Sequence, residues 1–108
     1  MDINPMEIYE KLVKLGTEWA ECKYAADLLE NARKPLLSKL GSASNQSSQN
    51  AREAYAYSHP DYAEHCEKIA EANKIEAIAK VKYSSAQTYA DLMRTVAANE
   101  RAANRNAI

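Results

Sequence analysis

From Ile8 onward, rungs recur in alternating steps of four and three: Ile8, Leu12, Leu15, Trp19, Cys22, Ala26, Leu29, Arg33, Leu36 and Leu40. Every rung except Arg33 is apolar. A repeat of about 3.5 residues keeps one stripe of a helix turned toward a neighbouring helix along its whole length. The pattern predicts a helix over about residues 5–40. Asn4 is placed to cap it, Pro5 suits its first position, and Glu7 brings an acid to its first turn. Pro35 falls inside the ladder and removes one backbone donor, which predicts a kink near residues 31–35. Leu36, Leu37 and Leu40 then resume the register.

Periodicity stops at GSASNQSSQN, residues 41–50, which reads as a polar loop. A short helix over about 51–57 follows, capped by a serine or by Asn50. Ser58 and Asp61 stand at capping-box spacing around Pro60, opening a long helix over about 59–105 with no further proline or glycine. Its ladder is His65, Ile69, Ala72, Glu76, Ala79, Tyr83, Ala86, Ala90, Met93 and Ala97. A second apolar edge holds Ile75, Ile78, Val81, Tyr89, Leu92 and Val96. One neighbouring helix covers one stripe, so this edge is a candidate interface for homo-oligomers.

The expected fold class is all-α: a single helical domain over residues 1–108, folded as a long antiparallel, coiled-coil-like hairpin with a short extra helix near the bend. Composition agrees, with 2 Gly, 3 Pro and no Phe. If Leu40 lies beside residue 60, then Trp19 falls near residue 81 and Ile8 near residue 92. The same count separates Cys22 from Cys66, so no internal disulfide is expected.

The net charge is −1, which is not the footprint of a general DNA-coating protein. The charges are segregated, however. Arg33, Lys34 and Lys39 form a run without acids, and Arg52 follows the loop. Tyr55, Tyr57, His59 and Tyr62 surround the same bend. Aromatic rings among basic side chains suit single-stranded nucleic acid or an acidic partner. These eight residues are the candidate binding surface, although packing of the short helix would also explain the tyrosines. Arg33 is expected to snorkel, or to pair with Glu64 or Glu67 on the facing helix.

No phosphate-binding loop, nucleophile motif or metal-spaced Cys/His set occurs, so neither catalysis nor a cofactor is expected. His59, Asp61, Glu64, His65 and Cys66 are close in sequence. However, neighbours on a helix splay by about 100°, and two ligands do not make a metal site. His65 is expected to be a half-buried polar residue at the bend. No stretch reaches the length of a membrane span, and nothing near Met1 reads as a signal peptide, which points to a cytoplasmic chain that does not engage membranes.

The stretches Trp19-Ala20-Glu21, Leu28-Leu29-Glu30 with Arg33-Lys34, Pro60-Asp61-Tyr62 with Glu64-His65, Lys82-Tyr83, Arg94-Thr95 and Arg101-Ala102 carry a likeness. Through them the chain resembles small phage and prophage helical-hairpin proteins of unassigned function, often encoded near single-strand annealing and recombination genes. The resemblance implies a non-enzymatic accessory protein in a bacterial host, binding a protein partner or single-stranded DNA during recombination or replication. Two other readings fit the same features: a small phage inhibitor of a host defence or nuclease protein, and a structural assembly subunit.

Overall fold

A computed structural model describes residues 4–107. Among them the chain is all-α, with four helices and no strand: α1 (Pro5–Asn31), α2 (Arg33–Ala43), α3 (Gln49–Ser58) and α4 (Pro60–Asn106). The Asn4 side chain caps α1, its Oδ1 accepting from the backbone of Met6 at 3.0 Å and Glu7 at 3.4 Å. The predicted interruption falls at Ala32, three residues before the proline. Pro35 thereby becomes the third residue of α2, where a missing N–H costs little because first-turn donors have no helical acceptor. The break is narrow: Ala32 N donates to Leu28 O and Leu36 N donates to Ala32 O, so bonding continues on both sides.

Two boundaries differ from expectation. Helix α2 continues through Gly41 to Ala43, and the loop shrinks to residues 44–48. Gly41 is buried against α3, where a Cβ would stand 3.5 Å from Arg52 O, and its carbonyl accepts the Ser44 hydroxyl at 2.6 Å. A glycine that reads as a breaker is here the point where α2 and α3 approach. At the next junction Ser58 ends α3, its hydroxyl donating back to Ala54 O and Tyr55 O. At the start of α4 the acceptor is His59, whose Nδ1 takes the Asp61 N–H at 3.0 Å. The serine cap expected for the short helix is Ser48, which accepts from Ala51 N at 3.1 Å.

The backbone groups into two compact units, Met1–Ala20 with Ile78–Ile108, and Glu21–Ala77. In the first, Trp19 lies against Tyr83 with ring centroids 5.7 Å apart, and Lys80 Nζ stands 5.8 Å from the Trp19 ring. Gly16, one turn earlier, makes room for the same tyrosine: a Cβ there would approach Tyr83 Cε2 to 3.2 Å. In the second unit, α2 packs on α3, and the end of α1 and the start of α2 meet the first two turns of α4 through Leu29, Arg33, Tyr62, His65 and Cys66.

Burial follows the ladders. Ala26 and Leu40 are buried on the first, Ile69 and Ala79 on the second, and every other rung is half-buried. The interior is thin. The buried apolar side chains are Ala26, Leu40, Ala56, Ile69 and Ala79, and no large side chain among the described residues is fully enclosed.

Candidate interaction surfaces

Arg33, the polar rung, is the centre of a bonded cluster in the second unit. Its Nε and Nη2 donate to Glu30 Oε1 and Oε2 at 3.1 and 2.9 Å, a two-pronged pair. Its Nη1 donates to the Tyr62 hydroxyl at 3.0 Å and lies 3.8 Å from Cys66 Sγ. The ion-pair partner is thus Glu30 on the preceding turn, not Glu64 or Glu67. A residue three positions away meets the guanidinium with little added ordering, and the facing helix contributes a tyrosine hydroxyl instead of an acid. The hydrogen bond and the charge of Arg33 hold the Glu30 carboxyl below its ordinary value of 4.5, with His65 adding to the effect. Glu30 first, and then the Tyr62 hydroxyl, hold the Arg33 proton more firmly than in a free arginine. A cation so engaged would have to give up its fork to meet a phosphate.

His65 is half-buried, and its Nε2 lies 2.7 Å from Leu29 O. A carbonyl only accepts, so Nε2 carries the proton. The imidazole satisfies a carbonyl in the last turn of α1, where helical donors run out.

The candidate aromatic residues divide into pairs. Tyr57 and Tyr62 meet edge to face at 5.4 Å, and Tyr55 stacks obliquely on His59 at 5.7 Å. Tyr62 and His59 are half-buried with structural bonds, whereas Tyr55 and Tyr57 keep exposed faces. One groove of about 390 Å3 gathers Lys34, Arg52 and Tyr57, with Ser38, Gln49 and Glu53 beside them. Arg52 is held there by Nε donating to Gln46 O at 3.0 Å, and Glu53 accepts from Gln49 at 3.2 Å. Of the eight residues, three therefore line one groove, and Arg33, His59 and Tyr62 are committed to holding helix ends and junctions. Lys39 is exposed and lines none of this groove.

On α4 the second apolar edge is open to solvent. In the first unit Ile78, Val81, Tyr89 and Leu92 are 46, 64, 53 and 57% exposed. Ile75, in the other unit, is exposed as well, while Val96 is half-buried and departs from the row. A groove of about 720 Å3 adjoins this edge, lined by Val81, Lys82, Ser85 and Tyr89 with Ile8, Lys11 and Leu15. Met6, Tyr9 and Val13 add exposed apolar side chains on α1, a feature the ladder did not announce.

Among the described residues, no group of three or more His, Cys, Asp and Glu side chains could hold a metal ion. Nor is any helix long and apolar enough to cross a membrane. Cys22 and Cys66 are both free thiols. No family model matches the chain, and no curated protein or solved structure shows significant similarity to it.

Proposed function

We propose that this chain is a non-enzymatic, phage-type accessory protein that binds a protein partner or single-stranded DNA during recombination or replication. In this reading it folds as a long antiparallel, coiled-coil-like hairpin, self-associates, and acts in the cytoplasm of a bacterial host. The observation that carries the binding role is the convergence of Lys34, Arg52 and Tyr57 on one groove, with Tyr55 exposed nearby. Two cations beside an aromatic face recognise an anionic, flat or extended ligand. The phage setting rests on the sequence likeness running from Trp19 to Ala102.

Fluorescence anisotropy with a labelled single-stranded oligonucleotide and with a labelled acidic peptide tests the role at low salt. Binding should weaken steeply as salt rises, because phosphate contacts release condensed cations. Lys34→Glu with Arg52→Glu should abolish it. Failure of both ligands to bind at tens of micromolar protein, or binding indifferent to the double substitution, would remove the groove from the proposal. Retention of the peptide alone would select the protein-partner form.

A further inference from the structure

The exposed edge of α4 has an internal symmetry that its apolar character alone does not require. Within the first unit it runs Ile78, Val81, Ser85, Tyr89, Leu92, in steps of three, four, four and three. Ser85 stands at the centre. Seven residues before it is Ile78 and seven after it is Leu92; Val81 and Tyr89 lie four residues to either side. Turned end over end, the row maps onto itself with chemically matched partners. An aliphatic side chain meets an aliphatic one at both ends, Val81 meets an aromatic ring twice, and a small hydroxyl meets its own copy at the crossing.

We propose that the chain forms a twofold antiparallel dimer in which this row packs against the same row of a second copy, with Ser85 on the axis. The proposal rests on the self-association in the reading above and specifies its surface and direction. An isologous contact requires a self-complementary surface, and this row supplies one. Val81 packs on the Tyr89 ring of the second copy, and Lys82 falls opposite Thr88 of that copy, away from its own counterpart. A parallel pairing would instead set Lys82 against Lys82 of the second copy, two like charges at close range. The area also fits. At their observed exposures, Ile78, Val81, Tyr89 and Leu92 offer on the order of 450 Å2. Lys82, Ser85 and the adjoining groove wall bring this toward the roughly 800 Å2 per partner that a specific interface buries.

Cysteine cross-linking of the full chain, in a Cys22→Ser, Cys66→Ser background checked for helicity, reads the arrangement directly. Ser85→Cys should form a disulfide dimer under mild oxidation. Ile78→Cys alone and Leu92→Cys alone should cross-link at least tenfold more slowly, since like positions would stand about 21 Å apart at 1.5 Å rise per residue. An equal mixture of those two variants should cross-link to each other. Light scattering of the unmodified protein at tens of micromolar should give twice the 12.0 kDa chain mass. Self-linking at all three positions would establish a parallel pair and overturn the proposal. A dimer that fails to link through Ser85→Cys would overturn this surface while leaving self-association standing. A persistent monomer would overturn both.

Discussion

Replacing Trp19 with alanine tests the contact between α1 and α4 in the first unit. Trp19 is half-buried, so the full loss of 3–5 kcal/mol known for enclosed aromatics is an upper bound. Removing roughly 100 Å2 of buried apolar surface at about 25 cal/mol per Å2 costs about 2.5 kcal/mol. The tilted pair with Tyr83 adds about 0.5–1 kcal/mol beyond its area. The Lys80 ammonium beside the ring adds a few tenths, on the order of an exposed cation–ring contact. Because the site opens to solvent, water replaces the lost ring and no sealed cavity penalty applies. The expected destabilisation is therefore about 3.5 kcal/mol, which lowers the melting temperature by roughly 14–28 °C for a chain of this length. Thermal and urea denaturation followed by circular dichroism measure it. A double-mutant cycle with Tyr83→Leu should return a coupling of about 1 kcal/mol between the two rings. A Trp19→Ala protein within about 0.5 kcal/mol of wild type, inside the range of neutral surface changes, would refute the packing described for this unit.

The two glycines should respond differently to alanine. Gly41→Ala gains about 1 kcal/mol of helix propensity and meets Arg52 O at an ordinary 3.5 Å, so it should raise the melting temperature; Gly16→Ala crowds Tyr83 at 3.2 Å and should gain less or nothing. Ser48→Ala removes the acceptor for Ala51 N and should cost about 1 kcal/mol in denaturant unfolding. The depressed Glu30 carboxyl contributes stability that is fully present above its ordinary value of 4.5 and is lost as pH falls through its lower folded value. Glu30→Gln should therefore flatten the acid limb of the stability profile, and an unchanged limb would disprove that contribution.

What the sequence disclosed was periodicity. Each rung from Ile8 to Leu40 and from His65 to Ala97 is half-buried or buried, including the polar Arg33 and Glu76. That success has a simple cause: a helix face is fixed by counting residues, and counting needs no knowledge of partners. The sequence reading failed where two local bonding choices compete. Ser58 is spaced to cap the following helix, yet its side chain turns back to Ala54 O and Tyr55 O, and the His59 ring takes the Asp61 N–H instead. Arg33 had acids available on two helices, and the choice of Glu30 depends on a side-chain geometry that spacing alone leaves open. Gly41 reads as a stop signal in sequence, yet its burial beside Arg52 turned it into a packing position. The candidate surface was legible as a cluster of residue types. Its division into structural and exposed members was not, because that division depends on which rings and cations already hold one another.

The evenness of the ladders bears on how such a chain can change over generations. A single-residue deletion between two rungs of α4 would turn everything beyond it by about 100°, replacing interior positions with surface ones in every later turn. Changes of length in the helices are then tolerated in steps of seven, while the segment over residues 44–48 can drift freely in length. Most rungs ask only for a small or aliphatic side chain, so identities can wander while spacing stays fixed. Descendants of this chain should be recognisable by the rhythm of their apolar positions long after residue-by-residue identity has faded.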